Sequence, residues 1–202
     1  MTRLTPLDPA ALPELAETFA ATKARMGFIP TSQKVMARRP DLLNAFGGLA
    51  RAVFAPRSKR VTPGLKSLVG YVASLSAGCR YCQAHTAGGV LRQGDDADAR
   101  KLAAVWEYET NPLFSDAERA ALAFAQAAGA VPNATTDGHF TALKCHFDED
   151  EIVDLLGVIA YYGFLNRWND SLATTLEDEP REVGERHLAA AGWSAGKHAA
   201  AG

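Results

Sequence analysis

Apolar residues recur at three- and four-residue spacing along most of this chain, the period of helices buried along one face. Leu12, Leu15, Ala16, Phe19 and Ala20 follow it in the opening thirty residues, and Gly27-Phe28-Ile29-Pro30 breaks it. A short helix is expected around Val35, and another after Pro40 with Leu42, Leu43, Phe46, Leu49 and Val53 on one face. Thr62-Pro63 reads as an N-cap with proline in the first turn, opening an apolar helix through Leu75. Gly78 interrupts it, and the next helical stretch reaches Gln93-Gly94. Asp95-Asp96 starts a helix expected to reach Trp106 and Tyr108. Ser115 with Glu118, and Asp148 with Glu151, fit the capping box, in which side chain and first-turn amide satisfy each other. A long apolar helix is expected from Ile152 to Leu165. After Asn166–Asp170 the pattern weakens, and the tail beyond Glu177 reads as loosely attached. No run alternates as strands do. The expected fold is all-α: a single helical domain over 1–178 (lead-in helices 10–55, core 62–175), with a C-terminal extension at 179–202.

One internal similarity runs at an offset of 87. Leu68–Ala73 aligns with Leu155–Ala160, and Arg80-Tyr81 with Arg167-Trp168. If the two halves are alike, two similar helix pairs face each other. Asn166 and Asn169 then stand where Cys79 and Cys82 do, which puts the Asn166–Asp170 segment near the cysteines.

The formal charge of −2 and the absence of a basic stripe argue against nucleic acid as a partner. Arg57-Ser58-Lys59-Arg60 reads as a solvated loop. No stretch approaches the roughly 20 apolar residues of a membrane span. The N-terminus has no apolar secretory segment, so a cytoplasmic location is expected. There, disulfides are usually transient, catalytic or redox-sensing. The chain has three cysteines, and two of them form Cys79-Arg80-Tyr81-Cys82.

On a helix, Cys79, Cys82 and His85 fall on one stripe. A thiol reacts as the thiolate; a helix N-terminus and His85 are both at hand to favour it. Attack on a peroxide would give a sulfenic acid that the second cysteine condenses to a disulfide; attack on a disulfide would give exchange. A zinc site using Cys79, Cys82 and His85 with Cys145 or His146 would be crowded within one helical segment. Plain buried cysteines would leave His85 unexplained. No metal or cofactor is expected. Cys145 reads as buried and His146, His139 and His187 as surface residues. Trp106, Tyr161, Tyr162, Phe164 and Trp168 read as core. Asn166 and Asp170 read as helix-end polar groups or as partners of the motif.

Ser74-Leu75-Ser76-Ala77-Gly78-Cys79-Arg80-Tyr81-Cys82-Gln83-Ala84-His85-Thr86 resembles the signature of the alkylhydroperoxidase D (AhpD)-like proteins of the carboxymuconolactone decarboxylase superfamily. Gly27–Pro30, Arg39–Leu43 and Phe164–Arg167 resemble its peroxidase-related branch. The resemblance covers roughly residues 10–175. It implies an all-α bundle with a central helix hairpin, homo-oligomers, and peroxide or disulfide reduction with electrons from a dithiol donor. It makes Cys82 the attacking and Cys79 the resolving cysteine, with His85 in the proton relay and Tyr81 beside it. Proximity to His85 also favours Cys82, whereas the helix N-terminus favours Cys79. The family's relay glutamate falls at Ser67 here, a departure that implies either a substitute acid, with Asp170, Glu107 and Glu118 as candidates, or slow peroxidase turnover. A non-redox lyase, the chemistry in the superfamily's name, and a metal- or redox-responsive module without catalysis are the alternatives.

Overall fold

The computed structural model describes residues 2–200. Among them are ten α-helices joined by short turns, and no strand. Helices α1 (Ala16–Met26), α2 (Thr31–Met36) and α3 (Pro40–Val53) lead in. Then come α4 (Pro63–Ser76), α5 (Arg80–Gln93), α6 (Asp96–Ala103), α7 (Asp116–Gly129), α8 (Asp137–Lys144), α9 (Glu149–Leu172) and α10 (Asp178–His187). No helix is long and apolar enough to cross a membrane among the described residues.

Helix α4 is the axis of the bundle. Every residue from Gly64 to Ser74 is buried, with α5, α7 and α9 packed around it. Close packing depends on a missing side chain at Gly70, where a Cβ would stand 2.4 Å from the Tyr162 ring on α9. Lys66, buried in this helix, donates to the carbonyls of Val53 (2.7 Å) and Ala55 (3.0 Å) at the end of α3. Its charge thus satisfies acceptors at and just beyond the helix end, with the Asp154 carboxylate 3.9 Å away.

The capping signals appear where the residue types dictate. Thr62 Oγ1 accepts from Leu65 N, and the boxes at Ser115 and Asp148 are both closed. Gly78 takes φ 74°, a left-handed conformation that favours glycine. It ends α4 and lets the chain re-enter a helix at Arg80, so α4 and α5 form a hairpin.

Four expectations need correction. The first helix is preceded by two 3-10 turns and starts only at Ala16. Leu49 is 48% exposed, because Ala50 takes the inward position on α3. The helix expected through Tyr108 stops at Ala103 and continues as a single 3-10 turn. Helix α9 continues unbroken to Leu172, with Asn166 and Asn169 buried on it. The second half of the internal similarity is therefore one continuous helix rather than a pair.

The segment beyond Glu177 is not loosely attached. Helix α10 lies along α5. Trp193 Nε1 donates to Arg80 O (3.2 Å), and Arg80 donates to Ser194 O (2.9 Å). Leu188 and His198 are each only 1% exposed. The periodicity failed here because the segment is anchored by separate large residues between short turns, without one continuous amphipathic stripe.

Candidate functional site

Cys79 is the N-cap of α5, and its sulfur accepts from Cys82 N at 3.4 Å. Cys82 sits one turn in and faces a cavity of about 200 Å3 that Cys79 does not line. His85 and Tyr81 share that wall. Both cysteines are buried and unbonded to each other. The opposite wall is aromatic: Phe46 stacks on Tyr161 (4.9 Å between centroids), and Tyr161 meets Phe54 and Tyr162 edge-on.

His85 Nε2 lies 2.8 Å from Glu177 Oε2. The other carboxylate oxygen accepts from Tyr81 OH at 2.8 Å and from the amide of Thr31. Burial works against ionisation of Glu177, but His85 and these donors prevail and hold its pKa down to about 2. An ionised carboxylate only accepts, which assigns the proton to Nε2 and leaves Nδ1 to take or give one. The Tyr81 ring stacks on the imidazole at 4.3 Å, and Phe28 meets it edge-on. Carboxylate and imidazole thus form an oriented pair, and His85 lines the same cavity as Cys82.

Asn169, which lines the same cavity, brings its Nδ2 to 3.6 Å from the Cys82 sulfur. Those two residues are the pair that the internal similarity aligns. Burial pushes the Cys82 thiol up, the neighbouring Cys79 pushes it further, and Asn169 opposes both. A helix N-terminus contributes roughly 0.3–1 kcal/mol to an anion, whereas full burial of a thiolate can cost several times that. Cys82 is therefore a thiol at rest, and a proton acceptor beside it is needed to make the thiolate.

A carboxymuconolactone decarboxylase family model matches residues 40–127, from α3 to α7 and including the cysteine motif. The debrominase Bmp8, in its apo form, has 33% sequence identity, a TM-score of 0.82, and coverage of 92% of this chain and 97% of that one. A cysteine-to-alanine variant of the same debrominase, in complex with 2,3,4-tribromopyrrole, matches with 32% identity over the same shares. The chain belongs to the carboxymuconolactone decarboxylase superfamily. The uncharacterized protein YnjA of Escherichia coli (strain K12) is 33% identical over 110 residues, which is 54% of this chain and only 59% of that relative. A peroxidase-related protein with an AhpD core from Ralstonia eutropha JMP134 shares the fold, with a TM-score of 0.74, 22% identity, and coverage of 89% of this chain and 94% of that one.

Within this superfamily fold, the structure brings together Cys79, Cys82, His85, Tyr81 and Ser67. Ser67 lines the cavity, facing Gly89 on α5. The expected substitutes for the relay acid are elsewhere. Asp170 pairs with Lys197 at 2.7 Å, Glu118 with Lys101 at 2.5 Å, and Glu107 is exposed. Asn166 is buried, neither of its amide atoms has a hydrogen-bond partner among the described residues, and it does not line the Cys82 cavity. Cys145 is exposed, contrary to expectation, because the turn after α8 leaves it outside. Trp106 and Phe164 are also exposed, at 46% and 38%. Among the described residues, no three His, Cys, Asp or Glu side chains converge on a metal position.

Sequence reasoning missed Glu177 and the aromatic wall. Glu177 opens the acidic run Glu177-Asp178-Glu179, which looks like any helix N-terminus. Tyr161 and Tyr162 have the spacing of core residues, and nothing local distinguishes a cavity wall from a core.

Proposed function

We propose that this chain is a thiol-dependent oxidoreductase, a peroxide reductase that works through a Cys79–Cys82 dithiol and disulfide. The observation that carries the reading is Cys82 on the cavity wall, with Cys79 one turn behind it and the His85–Glu177 pair beside it. His85 Nδ1 accepts the Cys82 proton, and the thiolate attacks the outer oxygen of a hydroperoxide. The O–O bond breaks, the alkoxide takes the proton back from His85 and leaves as an alcohol, and Cys82 holds a sulfenic acid. Cys79 then attacks the Cys82 sulfur, water leaves, and the disulfide forms. A dithiol donor returns two electrons by exchange, which suits a reducing, cytoplasmic setting. Val153, Leu156 and Phe164 are exposed on α9, and we place the contact of a homo-oligomer on that face.

The test is a thiol count in denaturing quench, before and after a small excess of hydroperoxide. Loss of two thiols per chain, restored by a dithiol and absent in Cys82→Ser, is expected. Survival of both thiols would end the peroxidase reading.

A second reading is favoured by the aromatic cavity and the likeness to the debrominase. It is reductive dehalogenation of an aromatic halide. A C–H bond replaces the carbon–halogen bond, the halogen leaves as halide, and the dithiol supplies two electrons and becomes the same disulfide. Of its two protons, one goes to carbon and one to solvent. Halide release from a bromophenol without peroxide, coupled to loss of both thiols, selects this reading.

A further inference from the structure

We infer that the cavity beside Cys82 selects a small planar aromatic anion, a single ring carrying phenolate, azolate or carboxylate charge, with Arg25 as its counter-charge at the rim. This deepens the proposed function, since it names what that nucleophile meets.

Three properties of the cavity lead there. The first is size: about 200 Å3 is slightly larger than an engineered cavity of roughly 150 Å3 that holds benzene, so one substituted ring fits and two do not. The second is shape and chemistry of the wall. The stacked and edge-on rings of Phe46, Phe54, Tyr161 and Tyr162 offer a slot to a flat ring and little to a flexible chain. The third is sign. Arg25 and Arg92 line the cavity, no Asp or Glu does, and the lining imidazole of His85 is paired with Glu177 behind it.

The two arginines are not equivalent. Arg92 is neutralised by Glu179 at 2.6 Å. Among the described residues Arg25 makes no ion pair, and its charge acts on the phenols of both Tyr161 and Tyr162. Burial pushes both phenols upward, so they remain O–H donors. Neither hydroxyl is hydrogen-bonded to another described residue. One free cation and two free donors around an aromatic slot match an anionic arene. A neutral arene would use only the walls, and an alkyl chain neither feature well. Both readings of the chemistry accept such a ligand, as an aromatic acid bearing a hydroperoxide or as a halogenated phenolate or azolate.

The test is titration calorimetry on the reduced protein without peroxide, using 4-nitrophenolate, neutral nitrobenzene and the non-aromatic anion cyclohexanecarboxylate. We expect stoichiometric binding of 4-nitrophenolate, at least about tenfold tighter than either comparator and weakened by salt. Arg25→Gln, an exposed substitution, should erase the preference for 4-nitrophenolate over nitrobenzene and leave nitrobenzene unchanged. Equal affinity for nitrophenolate and nitrobenzene, an unaffected Arg25→Gln variant, or no nitrophenolate binding would each overturn the inference. No thiol reacts in this experiment, so its failure is separate from failure of the thiol count.

Discussion

The turn of α5 that carries Cys79, Cys82 and His85 and the shell around it are specified by the chain in opposite ways. The turn is local: three residues at intervals of three, opened by Gly78 and capped by the first cysteine's own sulfur. The shell is assembled from distant places. Glu177 reaches His85 across 92 residues, Asn169 reaches Cys82 across 87, and the cavity walls come from α3 and α9. A local turn supplies two thiols and an imidazole. What each of them touches depends on residues that no short motif contains.

Removing the turn's nucleophile should have the largest effect. Cys82→Ser is expected to reduce peroxide-dependent thiol loss to the uncatalysed background, whereas Cys79→Ser should still attack and stop at a sulfenic acid that a dimedone-type probe traps. Trapping at position 79 in the Cys82→Ser protein would reverse the roles of the two.

Breaking the shell comes next. Glu177→Gln keeps the shape and removes the charge, and should slow single-turnover oxidation about a hundredfold. Its stability effect has a definite pH signature. The folded-state pKa of about 2 lies below the ordinary 4.5, so the contribution is fully present above pH 4.5 and fades as pH falls toward 2. The stability difference between wild type and Glu177→Gln, measured by denaturant titration, should be flat above pH 5 and shrink below it.

The tail's docking is tested by Trp193→Ala, which leaves all site residues in place. Trp193 fills the space over Gly184, where an added Cβ would stand 2.4 Å from its ring. A loss of about 3 kcal/mol in unfolding free energy is expected. A surface tail would give almost none.

Asn169→Ala should have the smallest effect. In a Cys145→Ser background, alkylation of Cys82 should increase with pH, because burial pushes the thiol up. Removing the Asn169 amide should move that profile to higher pH and slow alkylation at fixed pH by about threefold, the loss of one weak hydrogen bond.

How much was legible follows the same division. The helices with caps of the right residue type were readable, because a cap and its first turn lie within four residues. The Thr62, Ser115 and Asp148 starts all appear in the structure. The spacing of Cys82 and His85 is readable in the motif, whereas the cavity that both line is not. Nor is the acid. Ser67 could be seen to lack a carboxylate, but its replacement depends on how the chain folds back after α9, with Ala173 in a left-handed turn. The internal similarity points to Asp170, whose segment it places near the cysteines, but Asp170 pairs with Lys197 and His198 of the tail. The tail itself was misjudged, since anchors such as Trp193 and Leu188 leave no periodic trace.

The 92-residue separation of His85 and Glu177 also sets an order of events during synthesis. At about 5–20 residues per second, the cysteine pair leaves the ribosome several seconds before the carboxylate that orients its histidine exists. A nascent or truncated chain therefore holds two thiols and an imidazole with no fixed tautomer. The orientation of the imidazole is thus a property of a chain made at least as far as Glu177, and the motif alone does not carry it.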